Sequence, residues 1–154
     1  MTDFWHFYTS NLSLKRSFIG SDRFDVRFPY AAFEDVEFGY RLHLRGLKVV
    51  FLKEAIAYHH HPTTLASSRR RAYLAGRSAA VLERIHPDLF DRTIKRERTA
   101  RRRVISLLYS LALNPLTIAG WHLLARFAEN RFLFKSAFDG VYQYHYQRGY
   151  RDGA

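Results

Sequence analysis

The segment YAAFEDVEFGYRLHLRGLKVVF, residues 30 to 51, constrains the fold more than any other. Phe33, Val36, Tyr40 and Leu44 recur at spacings of three and four, which predicts a helix from about Glu34 to Arg45. Gly46 stands where a left-handed residue would end it. Glu37 and Arg41 form an i,i+4 pair in the favourable order. Gly39 inside the helix costs roughly 1 kcal/mol against alanine, so something is expected to pack closely on the backbone there. Beyond Gly46, LKVVFL and AIAYH read as two short strands joined by a turn near Lys53 and Glu54. A helix running directly into apolar strands predicts an α/β unit.

The flanking segments follow the same logic. The aromatic run FWHFYTSNLSL reads as a strand or extended segment. Ser13 is placed to cap a short helix, LKRSFI, that stops at Gly20. The stretch from Gly20 to Phe33 has neither period and reads as a loop. After Pro62 the chain turns helical, with segments expected over Leu65 to Arg84 and Asp88 to Asn114. Another is expected to open at Pro115, and a last one to run from Asn130 to about Gln147. The chain therefore divides into residues 1–63, an α/β portion of few short strands, and residues 64–154, a basic, mainly helical extension.

Composition bounds the function. At 154 residues with 47% hydrophobic and 16% aromatic content, the chain can build a core and is not of the disordered class. A net charge of +11 and a pI near 10.3 point to an anionic partner: nucleic acid, anionic lipid or a phosphate-bearing substrate. With no cysteine, disulfides and thiolate metal sites are excluded. The start MTDFWHFYTS has no signal-peptide pattern. Residues 104–125 are the most apolar stretch, interrupted by Asn114, Pro115 and His122 and flanked by arginines. That interruption predicts two shorter helices rather than a span, packed as a hairpin or lying in the plane of a membrane.

Three groups of residues carry candidate chemistry. Glu34 and Asp35 sit in a first helical turn, where the macrodipole alone favours acids. A carboxylate there, at a cleft edge, can also take a proton from a bound hydroxyl. In YHHHP, His59 and His61 would share one face of a strand and His60 the other. Such runs are mostly polar surface; their place after a strand is what makes metal binding worth weighing. Arg69, Arg70, Arg71 and Arg77 form either a solvated basic face or a diphosphate clamp, since the guanidinium fork matches phosphate oxygens. Asn11 and Ser13 suit sugar hydroxyls, though turn and cap roles are the ordinary explanation. There is no Gly-rich phosphate loop and no Asp-x-Asp.

Taken in order, residues 11–61 resemble the second half of a family 2 glycosyltransferase of the GT-A fold. The resemblance rests on Asn-Leu-Ser followed by Arg16, on Phe24-Asp25, and on Glu34-Asp35 leading a helix with Arg41-Leu42. Gly46, an apolar run and His59 complete it. It covers about a third of the chain well and the helical tail loosely. It implies an inverting sugar transfer from a nucleotide sugar to a hydroxyl acceptor on a glycan or lipid-linked carrier, as in cell-envelope polysaccharide assembly. It further implies Asp35 as general base, Glu34 and Asn11 on the acceptor, His59 on a divalent metal (Mn or Mg), and Arg70 and Arg71 near the diphosphate. The family's nucleotide-binding half and its Asp-x-Asp find no counterpart here. The expectation is thus a chain inactive alone, being a truncated product, a separately encoded half completed by a partner chain or a degenerate remnant, and located in the cytoplasm or peripherally on the inner face of the membrane.

Two readings compete. The positive charge and arginine runs suit a nucleic-acid-binding module, but no helix-turn-helix, zinc or RNA-binding signature accompanies them. That reading also leaves the Glu34–His59 segment unexplained. A noncatalytic scaffold on anionic lipid would use the helical tail and is compatible with the glycosyltransferase reading.

Overall fold

A computed structural model of the chain describes residues 2–28, 30, 32–89, 112–127 and 131–154. They fall into two compact units, Met1–Pro62 and Thr63–Ala154.

In the first unit, α1 (Arg16–Ile19) and α2 (Glu34–Leu44) follow two 3-10 turns, Phe4–His6 and Thr9–Asn11. The aromatic start does not extend, because the Asp3 carboxylate accepts from the Trp5 amide and winds the chain into a turn. That turn puts Phe7 into the core with Phe38 and Leu42. The Phe7 and Phe38 rings meet edge to face, with centroids 5.9 Å apart. Leu14, Phe18, Ile19, Leu47 and Val49 close the cluster. Gly39 lies where the close packing was expected: a Cβ there would stand 2.7 Å from that of Phe7. Gly46 follows the helix with φ of 94°, as its position predicts. Lys15, not Ser13, occupies the N-cap of α1, without a side-chain bond.

The expected α/β architecture is overturned. Among the described residues there is no strand, only an isolated antiparallel bridge between Thr2 and Val49. The apolar runs after Gly46 have the composition of strands but no ladder to join. Backbone amides and carbonyls form a strand only where neighbouring strands pair them. Within this unit Phe51 remains 78% and Tyr58 97% exposed.

The second unit is helical: α3 (Leu65–Ile85), α4 (Ile118–Phe127) and α5 (Arg131–Gly153). Thr64 caps α3 in a reciprocal capping box with Ser67. Ser68, Ala72, Ala75, Gly76 and Ala79 are its buried face, and α5 packs on them. The approach is so close that a Cβ on Gly76 would be 2.7 Å from the Tyr150 amide nitrogen. This contact carries α5 past Gln147, where the sequence pattern ends, to Gly153. The α4 helix begins three residues beyond Pro115, because the Asn114 side chain accepts from the Leu116 and Thr117 amides at 2.8 and 3.1 Å. Those bonds make residues 114–117 a turn. The helix expected from Asp88 to Asn114 falls largely outside the described residues. Among those that are described, no helix is long and apolar enough to cross a membrane.

Candidate functional site

The acid pair occupies the first turn of α2, preceded by Phe33 with φ of 66°. A non-glycine aromatic residue in the left-handed region costs on the order of 1–3 kcal/mol, and such strain collects at sites that need a fixed geometry. No side chain caps this helix start. Three acids, Glu34, Asp35 and Glu37, share its first turn, where the helix dipole favours negative charge.

They are not equivalent. Asp35 is half-buried, and its Oδ1 accepts from the Val36 amide at 2.8 Å. Glu34 has a buried Oε2 with no hydrogen-bond partner. Burial raises the Glu34 carboxyl above the ordinary range and the neighbouring Asp35 charge adds to this, while the backbone amides of Glu34 and Ala32 oppose it. Glu37 is 1% exposed. Its Oε1 accepts from Arg41 Nε at 2.7 Å, and Arg41 also donates to the Arg23 carbonyl at 2.6 Å, tying the 20–28 loop to the helix. The expected i,i+4 pair exists, but as an interior anchor. Asp25 is held down to about 2 chiefly by hydrogen bonding to Arg27, whose Nε lies 3.0 Å from both carboxylate oxygens.

The other candidates fall in both units. Asn11 Nδ2 donates to the Ala55 carbonyl at 2.9 Å, anchoring the turn that precedes the histidine run. His59 is exposed, with its ring edge-on to His61 at 5.8 Å between centroids. No group of three or more His, Asp or Glu side chains able to hold a metal is present among the described residues. The described residues therefore supply no such ligand set, and no step is derived through a divalent cation. Arg70 and Arg71 lie exposed on α3, in the second unit.

Sequence reasoning passed over a histidine pair in the second unit. His122 on α4 and His145 on α5 bring their Nε2 atoms to 3.4 Å. Desolvation, helped by the charges of His122, Arg69 and Arg148, lowers His145 from 6.5 to about 4. His122 is lowered by burial and by Arg69. Tyr144 lies edge-on to His145. The unfolded chain therefore binds this proton more tightly than the folded one. Stability is complete above about pH 6.5 and falls as the pH drops towards 4. Because His145 is only half-buried, the effect is discounted to about 1 kcal/mol. Thermal melts at pH 7 and 4.5 should show the loss, and His145→Gln should reduce it. An equal loss in the variant would place the acid sensitivity elsewhere.

No protein-family model, curated protein or solved structure matches the chain.

Proposed function

We propose that Met1–Pro62 supplies the acceptor side of a sugar-transfer site, with Asp35 as general base and Glu34 as hydrogen-bond partner of the acceptor. The observation that carries this reading is the acid pair at an uncapped helix start, with Glu34 Oε2 buried and unpartnered behind the strained Phe33. A buried carboxyl oxygen without a partner is costly, and an acceptor hydroxyl would complete it. The raised Glu34 carboxyl keeps its proton to higher pH and can then donate a hydrogen bond. Asp35 beside it takes the proton as the acceptor oxygen bonds to the anomeric carbon. The bond to the nucleotide diphosphate breaks on the opposite face, giving inversion. The ordered motifs of residues 11–61 support the choice of sugar transfer over other hydroxyl chemistry.

The donor nucleotide and any divalent metal enter, in this proposal, with a partner chain. Calorimetric titration with Mn²⁺ and UDP separates the cases: metal-dependent binding to this chain would place a donor site within it and remove the need for the partner. With transfer reconstituted, Asp35→Asn should lower turnover by about a hundredfold to ten-thousandfold while leaving the helical circular dichroism unchanged. Unchanged turnover would remove Asp35 from the mechanism.

A further inference from the structure

The α4 helix is apolar on both faces. Ala125 is buried, and Ile118, Trp121 and His122 are half-buried on the side that packs with α5. On the opposite side Ala119, Gly120, Leu123, Leu124 and Phe127 are exposed, and Leu116 extends the face from the preceding turn. The exposures are large, 91% for Leu116 and 67% for Phe127. A helix that is apolar all round belongs in an interior or against an apolar phase. A continuous exposed patch of this kind marks a contact surface, unlike single scattered leucines.

Charge decides what the contact is. Residues 112–127 contain no Asp or Glu, and Arg126 stands exposed at the edge of the apolar face. Lys135 is exposed on α5, where Phe134 adds a further exposed ring. In sequence, residues 63–154 hold 17 of the 25 Lys and Arg but only 7 of the 14 acids. A ten-residue helix rises about 15 Å, half of what a hydrocarbon core demands. It is long enough to lie in the headgroup boundary with its apolar side down and its arginine reaching outwards.

We infer that the Leu116–Phe127 face docks, in the plane of the membrane, on an anionic lipid surface. The arrangement is independent of the sugar-transfer reading and uses no residue of the acid pair. Leucine and phenylalanine enter the acyl boundary, while Arg126 and Lys135 meet the lipid phosphates.

Co-sedimentation of the full chain with phosphatidylcholine vesicles containing about one-third phosphatidylserine provides the test. Binding is expected, weaker by about tenfold on pure phosphatidylcholine and reduced in about 0.5 M salt. The substitutions Leu123→Ser and Phe127→Ser together should remove most of it. Both side chains are exposed, so circular dichroism and the melting temperature should stay unchanged. Equal binding by the double variant would overturn the proposal by moving the contact to the basic residues alone. Failure to bind anionic vesicles would overturn it too, and if the chain then sediments as a dimer that the same substitutions dissociate, the occupant is a second copy. Indifference to phosphatidylserine would overturn the anionic specificity.

Discussion

Gly149→Ala should destabilise Thr63–Ala154 by about 3 kcal/mol, against the usual helix preference for alanine. An added Cβ would overlap the Tyr73 carbonyl oxygen and lie 3.0 Å from the Tyr73 Cα. Neither atom can rotate away, as a flexible side chain would. The helices must separate, withdrawing the buried alanines of α3 from their partner face. Gly120→Ala on α4 is the control, because nothing lies within 4 Å of its added Cβ. There the same substitution should be neutral or stabilise by up to about 1 kcal/mol. Urea unfolding followed by helical circular dichroism reads both. A neutral Gly149→Ala would mean that α3 and α5 do not approach this closely.

Arg41→Met should cost the first unit about 3–5 kcal/mol, far more than the i,i+4 surface pair it resembles in sequence. The Glu37 carboxylate is almost completely buried, and Arg41 is the cation 2.7 Å from it. Removing the guanidinium withdraws that compensation and also releases the Arg23 carbonyl and the Phe38 ring, over which the guanidinium lies at 5.0 Å. Adding Glu37→Gln should recover part of the loss, since position 37 then carries no buried carboxylate. If the single variant melts with the parent, Arg41 is not what holds the Glu37 carboxylate and the 20–28 loop.

Glu37 also shows where a closer reading of the pattern stops. Its helical angle falls just outside the arc defined by Phe33, Val36, Tyr40 and Leu44, so the wheel places an acid at the margin of the apolar stripe. Near-complete burial was not legible there, because the margin of a stripe suits a surface pair equally well. The same stripe misleads at Leu44, which is exposed, while Phe38 and Leu42 on the other side form the core with Phe7. Periodicity finds a helix with a buried face. It does not tell how many faces are covered.

The acid pair was visible as residue type and position, and the strain and the orphaned oxygen beside it were not. Positive φ at Phe33 has no signal in a phenylalanine codon, because aromatic residues avoid that region unless tertiary contacts hold them in it. Likewise His122 and His145 are 23 residues apart in sequence, and only the packing of α4 on α5 makes them neighbours.

What the sequence determined by itself is local: the start of α2 at Glu34, its end before Gly46 and the start of α3 at Leu65. Capping, glycine conformation and i,i+4 spacing act within a few residues, so they can be read without the fold. Tertiary structure alone decided that the apolar runs after Gly46 are not strands and that α5 continues through Gly149 to Gly153. A strand requires partner strands, and a glycine inside a helix is retained where a neighbouring backbone occupies the space its side chain would need. Both conditions are set by residues distant in the chain.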